Sequence, residues 1–271
     1  MKTRILTGMI LLPLLLLVYF GGIPLKIGCL VISILGLNEF FKCVETKGAK
    51  PSYIIGYISL ALLYIPYIAM PYDKFNFNGH VAFWIVFTLI ASMISGFKVN
   101  DKKEYDVMLT FFGCVYTLLL PIYVAEMSMG AFTQWRWTVF IVAFGTDIFA
   151  YFIGMAIGKH KLCPNLSPKK SIEGAVGGLV FAVLFTALYA YFTFGGANLA
   201  IKWSIIIGVI GSIMSQCGDL GASAIKRQIG IKDYGKLLPG HGGILDRFDS
   251  VLFAAPTIYY LLTILGTLTE Y

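Results

Sequence analysis

Residues 172–194 read IEGAVGGLVFAVLFTALYAYFTF, a run of 23 residues in which Glu173 is the one charge. As a helix it would rise about 35 Å at ~1.5 Å per residue, enough to cross a hydrocarbon core ~30 Å thick. Hydrocarbon offers backbone N–H and C=O groups no partner, so such a run must be a helix or a strand of a closed barrel. It is too long and too uniformly apolar for a barrel strand, which alternates. Working outward from Ile172–Phe194, similar runs occupy Ile5–Phe20, Ile23–Phe41, Ser52–Met70, His80–Phe97, Val107–Met129, Thr133–Ile157, Leu199–Gly218 and Ser250–Leu268. Composition agrees, with 58% hydrophobic and 13% charged residues and a mean hydropathy of +0.80. Soluble domains do not have this balance. The predicted fold is an all-α polytopic membrane protein with about nine transmembrane helices, forming one membrane-embedded domain over residues 1–271.

The first run follows Met1-Lys2-Thr3-Arg4 and resembles a signal peptide in its basic start. No small-x-small cleavage site follows, so it is read as a retained span. Nine crossings divide the arginines and lysines unevenly. Lys26, Lys74, Arg136 and Lys202 fall on one side, and the other 17 of the 21 on the side that holds the N-terminus. The positive-inside rule makes that side cytoplasmic, which leaves the C-terminus non-cytoplasmic. The net charge of +7 is therefore explained by topology, with attraction to anionic headgroups as an addition, and calls for no nucleic-acid partner. Cys29, Cys43, Cys114, Cys163 and Cys217 show no CxxC spacing, which argues against zinc and disulfides. No internal repeat of the transporter kind stands out.

Two cytoplasmic segments, Gly158–Ser171 and Asp219–Asp249, are rich in Pro, Gly and charge. Carboxylates at the edge of an apolar span are costly and need a partner, a water-filled cavity or a metal. Glu126 reads as interfacial, while Glu39 and Asp147 lie deeper and could equally be interhelical hydrogen-bond partners or functional groups. If the eighth span continues as helix, Asp219, Ser223, Lys226 and Arg227 share one face. Asp246 and Asp249, three apart where the ninth span begins, also share a face. Lys232, Lys236 and His241 stand between these two helix ends. Oxygen ligands of this kind suit Mg²⁺, which takes one or two carboxylates and completes its shell with water and phosphates. Gly240, Gly242 and Gly243 allow close backbone approach to a phosphate, and the opening turn of the ninth helix adds a positive dipole end. A plain interhelical turn would explain the glycines but not the charges. Gly154–Lys159 is one residue short of a P-loop and follows a membrane helix, so its Gly-x-x-x-Gly spacing is read as helix packing. His80 reads as structural and His160 as a loop contact of low specificity.

The stretch Ser223-Ala-Ile-Lys226-Arg227, four residues, Lys232-Asp233-Tyr-Gly235, two residues, Leu238-Pro239-Gly240-His241-Gly242-Gly243-Ile-Leu-Asp246-Arg247-Phe-Asp249 resembles the signature of the phosphatidate cytidylyltransferases. Lys159-His160-Lys161 with Ser167-Pro168-Lys169-Lys170-Ser171-Ile172-Glu173-Gly174 is similar to a second segment of that family. It departs in Met155 for a common arginine, Ser171 for threonine and Ile172 for tryptophan. The resemblance is strong over about residues 140–255 and weak before them.

The resemblance implies Mg²⁺-dependent transfer of the cytidylyl group from CTP to phosphatidate, giving CDP-diacylglycerol and pyrophosphate. It implies Asp219, Asp246 and Asp249 as metal ligands, Asp249 either direct or orienting Arg247 or Lys226, with one or two ions bound. Lys226, Arg227, Lys236 and Arg247 would hold phosphate oxygens, His241 the pyrophosphate, and Ser223 a phosphate or a metal-bound water. Ser167, Lys169 and Lys170 would form another wall, and Gly242 and Gly243 would lie against phosphate. The site would face the cytoplasm from a multi-pass protein of the cell membrane. Acyl-chain preference and oligomeric state are open, a homodimer included. A CDP-alcohol phosphatidyltransferase is disfavoured, because its Asp-Gly-x-x-Ala-Arg core is missing and Asp246 and Asp249 are three apart where that pattern needs four. Two other readings stand beside the first: a CTP-dependent lipid-alcohol kinase, and an ion-coupled transporter using Asp147 and Glu39 at mid-membrane.

Overall fold

A computed structural model describes residues 15–97, 104–237 and 242–269. Residues 15–20 are helical, and the main helices that follow are α1 (Gly22–Glu45), α2 (Tyr53–Ala69), α3 (Phe77–Ser95) and α4 (Glu104–Glu126). After a 3₁₀ turn over Gly130–Trp135 come α5 (Arg136–Ile157), β1 (Lys161–Cys163), β2 (Ser167–Ser171), α6 (Ile172–Thr193), α7 (Asn198–Ile229) and α8 (Leu245–Thr269). Among the described residues, seven helical segments are long and apolar enough to cross a membrane, with α2 shorter at 17 residues. Most of the expected first span lies outside the described residues. The all-α polytopic membrane class holds.

Three expectations differ in detail. Gly158–Ser171, read as a loop, contains an antiparallel hairpin in which Lys161 pairs with Ser171 and Cys163 with Ser167. The helix expected from Ser250 begins at Leu245, and the one expected to leave the membrane at Gly218 runs on to Ile229. In both, the hydropathy pattern marks the bilayer edge and not the helix end. By its internal contacts the chain divides into two compact units, Met1–Ala125 with Ile229–Arg247 and Glu126–Gln228 with Phe248–Tyr271.

In the first unit the core is aromatic. Phe40, Phe41, Leu63, Tyr64 and Trp84 are each at most 1% exposed. Polar side chains pair across helices: Trp84 Nε1 donates to Ser59 O at 2.7 Å, Ser59 and Thr88 share a 2.6 Å hydroxyl bond, and Ser33 meets Tyr64 at 2.7 Å. Such bonds replace the water these groups lose in a membrane. Gly113 lies under the rings of Phe40 and Phe41, where a Cβ would come within 2.6 Å. Just before Pro121, α4 loosens into a π turn over Val115–Leu119. Proline has no N–H for the regular ladder, and the wider turn accommodates that loss.

In the second unit α6 buries Gly174, Gly178, Ala182, Thr186 and Ala190, a small residue every fourth position. That stripe lets α5 and α6 approach closely. A Cβ on Gly178 would lie 2.6 Å from Thr146 O, and one on Gly174 would lie 2.5 Å from Ala150 O. Gly154 meets the same stripe, so the Gly-x-x-x-Gly reading as a packing element holds. Phe149 and Phe181 stack with centroids 4.0 Å apart. The opposite side of α6, with Val176, Val180, Leu184, Leu188 and Phe192, is exposed and apolar, as a lipid-facing helix requires.

Candidate active site

The ionisable residues form two groups, one in each unit, built on different principles. In the second unit, α7 remains helical past the apolar stretch, so Asp219, Ser223, Lys226 and Arg227 do occupy one continuous helix. Ser223 Oγ donates to Asp219 Oδ1 at 3.5 Å, a long bond one turn along. Lys170, carried by β2 of the hairpin, forms an ion pair with Asp219 Oδ2, both side chains about one quarter exposed. Arg227 Nε reaches back to Leu166 O at 3.4 Å in the hairpin turn. The hairpin therefore does bring Lys170 to the α7 carboxylate. The structure gives no such contact for Ser167 or Lys169 among the described residues.

The rest of this group comes from α5 and α8. Asp147 Oδ2 accepts from Ser250 Oγ at 2.8 Å, so the interhelical hydrogen bond considered for Asp147 is present. Asp249 lies in the electrostatic field of Asp219, Lys226 and Asp147, and Asp147 in that of Asp219 and Lys170. The backbones of α7 and α8 touch here, because a Cβ on Gly218 would lie 2.5 Å from Asp249 O. Glycine at 218 permits that approach, one residue before Asp219. Lys226 is 9% exposed, an uncommon burial for a lysine unless carboxylates surround it.

Donor chemistry decides which metal this group fits. It offers carboxylate and hydroxyl oxygens, and among the described residues no three His, Cys, Asp or Glu side chains converge as a closed ligand set. A structural zinc site needs such a closure, whereas Mg²⁺ takes one or two carboxylates and leaves the rest of its shell to water and phosphate. Asp219 and Asp249 fit the second pattern.

The first unit treats its carboxylates differently. Asp246, 8% exposed, accepts through Oδ2 from Tyr234 N at 2.8 Å and from Gly243 N at 2.9 Å. Glu39 of α1 accepts from Ile244 N at 2.9 Å through Oε1 and from Leu245 N at 3.1 Å through Oε2. The opening N–H groups of α8 and that of Gly243, expected to face a phosphate, are thus engaged by the protein's own carboxylates. Gly242 has φ +82°, and a Cβ there would come within 2.9 Å of Asp246 Oδ2. Burial pushes the Tyr234 phenol up, so it stays neutral beside Asp246. Arg247 follows on α8, and its Nε is buried without a hydrogen-bond partner among the described residues. Lys236 is exposed, and His241 and Gly240 lie outside the described residues.

The remaining candidates are structural. His80 Nε2 lies 3.1 Å from Leu63 O. Glu173 accepts from Lys159 N and His160 N and meets His160 Nδ1 at 2.6 Å, which ties the entry of the hairpin to the start of α6. Ser171 caps α6 by accepting from Gly174 N at 3.1 Å, the work a serine or threonine does at that position. A cavity between α5 and α6, lined by Phe140, Phe144, Phe149, Phe185 and Phe192 among others, holds no charged side chain and offers nothing to a phosphate. Glu39, like Asp147, is a residue whose role the sequence leaves open between a hydrogen-bond partner and a functional group. Its partners lie 205 and 206 positions away, beyond the reach of any local spacing.

Known proteins match along nearly the whole chain, not only over residues 140–255. The Cytidylyltransferase family model matches residues 2–265. A phosphatidate cytidylyltransferase of Bacillus subtilis (strain 168) is 34% identical over 274 residues, covering 97% of this chain and 98% of its own. Proteins of the same name from Staphylococcus haemolyticus (strain JCSC1435) and Staphylococcus aureus (strain COL) are each 32% identical, covering 97% of this chain and 99% of theirs.

Proposed function

The chain belongs to the cytidylyltransferase family, and on that premise we propose that it transfers the cytidylyl group of CTP to phosphatidate with release of pyrophosphate. The product is CDP-diacylglycerol, an intermediate of phospholipid biosynthesis. The grouping of Asp219, Asp249 and Asp147 with Lys170 and Lys226 at the membrane edge carries this reading. The phosphate monoester of phosphatidate is already an anionic nucleophile, so no serine or cysteine has to be activated. The protein's task is to bring two polyanions together in line at the α-phosphorus and to offset their charge.

Asp219 and Asp249 would hold Mg²⁺, which when bound supplies charge neutralisation to the triphosphate. Lys170, Lys226 and Arg227 stand where phosphate oxygens would be drawn to this group. In the first unit, Arg247, whose Nε is buried, would be a phosphate donor in its own right at the start of α8. Asp246 contributes by holding backbone in place. The membrane location suits a lipid substrate anchored by its acyl chains, and the excess of lysine and arginine supports a site that faces the cytoplasm.

The test is purified protein in liposomes with CTP, Mg²⁺ and phosphatidate. Release of pyrophosphate that needs all three supports the reading, and release of CDP would establish a lipid kinase instead. No nucleotide turnover, together with substrate-driven flux in sealed vesicles, would overturn the enzyme reading in favour of a transporter.

A further inference from the structure

The start of α8 carries Asp246 and Arg247 in its first turn, so the placement of that turn sets the placement of both. Helix N-termini expose N–H groups that the helix cannot satisfy, and a short polar side chain just before the first turn usually does so. Here the residues before α8 are Gly242, Gly243 and Ile244, none of which carries a side-chain acceptor. The N–H of Gly243 is taken by Asp246, and those of Ile244 and Leu245 are taken by Glu39. Arg247 N then donates to Ile244 O at 3.0 Å, closing the turn.

Several features of α1 aim Glu39 at this place. Phe40 and Phe41, the residues that follow it, are 0% exposed and fix the rotation of the helix. Gly36, one turn earlier, lies against Leu245, where a Cβ would come within 3.0 Å of Leu245 Cδ2. Glycines also clear the space around the carboxylate itself. A Cβ on Gly243 would fall 2.4 Å from Glu39 Oε2, and one on Gly235 would fall 2.6 Å from Oε1. Two backbone donors and two glycine approaches on a single carboxylate exceed what a lipid-facing or merely interfacial glutamate would need.

We infer that Glu39 is a positioning residue for the reaction. Its carboxylate caps α8 from a helix about 200 residues earlier in the chain and thereby fixes the register at which Asp246 and Arg247 are presented. This rests on the cytidylyl-transfer reading for its catalytic consequence, while the cap itself stands on geometry. A carboxylate offers each N–H an oxygen and complements the positive end of the helix. An amide of the same shape offers one oxygen, and turns an NH₂ toward the second donor.

The experiment compares wild type with Glu39→Gln, Glu39→Asp and Gly235→Ala in nanodiscs. Gly235→Ala keeps the charge and pushes the carboxylate aside. Three quantities are read: the folded fraction by thermal melting, kcat per folded molecule with the KM for CTP, and hydrogen exchange of the Ile244 and Leu245 amides. Glu39→Gln and Gly235→Ala are expected to lose amide protection at 244 and 245. They should also lose kcat by a factor between about 10 and 100, the scale that a small misplacement of reacting groups produces. Glu39→Asp should recover part of the kcat loss. Unchanged protection in Glu39→Gln overturns the cap whatever the wild type does with CTP. Lost protection with wild-type kcat per folded molecule overturns the positioning role. An inactive but folded wild type with normal protection at 244 and 245 overturns the cytidylyl-transfer reading, and with it this catalytic role, while leaving the cap in place.

Discussion

Glu39 and Asp246 in the first unit and Asp147 and Asp219 in the second answer the cost of burial in different ways. In the first unit Glu39 and Asp246 each accept two backbone N–H groups. In the second, Asp147 accepts a serine hydroxyl, Asp219 faces a lysine and a distant serine, and Asp249 accepts, among the described residues, only the N–H of its neighbour Ser250, at 2.9 Å, in the field of Asp219 and Lys226. Backbone donors cannot swing away without unfolding the segment that carries them. A part-exposed lysine such as Lys170 can swing from one anion to another. On the proposed reading, Glu39 and Asp246 hold backbone in place, while Asp219, held by side chains, stays open to ligands.

That contrast can be broken by experiment. The largest effect is expected for Asp219→Asn and Asp249→Asn, which should lower pyrophosphate release by roughly 100-fold to 1000-fold, as loss of a principal electrostatic group does. Their melting temperatures should stay near wild type, and a fall in stability as large as that in activity would erase the distinction. Chelation of divalent ions should likewise abolish turnover while leaving the melting temperature unchanged, since no closed metal-ligand set holds the described fold together. Asp246→Asn is expected to differ in kind. It weakens two bonds to buried backbone donors and should destabilise by about 1–3 kcal/mol, read from denaturation in detergent, with lower activity as a consequence. Ser250→Ala removes one hydroxyl bond to Asp147 and should cost about 1 kcal/mol. The smallest stability change belongs to Lys170→Ala, about 0–1 kcal/mol for a part-exposed pair, and its signature should be a raised KM for CTP.

The sequence made the helices and the α7 constellation legible because both are periodic over short distances. Asp219, Ser223 and Lys226 needed only helical spacing to be placed together. The start of α8 was hidden because Leu-Asp-Arg-Phe-Asp is polar, and apolar runs report where the bilayer begins. The hairpin was hidden because strands of three and five residues flanking Pro164 and Asn165 have the composition of a loop. Glu39 and Asp147 were hidden for a third reason: their partners are separated from them by 205 and 103 positions, and no pattern in one sequence carries such a pairing.

The length of α7 has its own consequence. Its 32 residues span about 48 Å at ~1.5 Å each, well beyond a hydrocarbon core of ~30 Å. The membrane crossing and the segment bearing Asp219, Ser223, Lys226 and Arg227 are thus one rod without a hinge. Its apolar part, Leu199–Gly218, matches a typical hydrocarbon core, and a thinner bilayer would tilt it. Such a tilt would raise or lower those four side chains together.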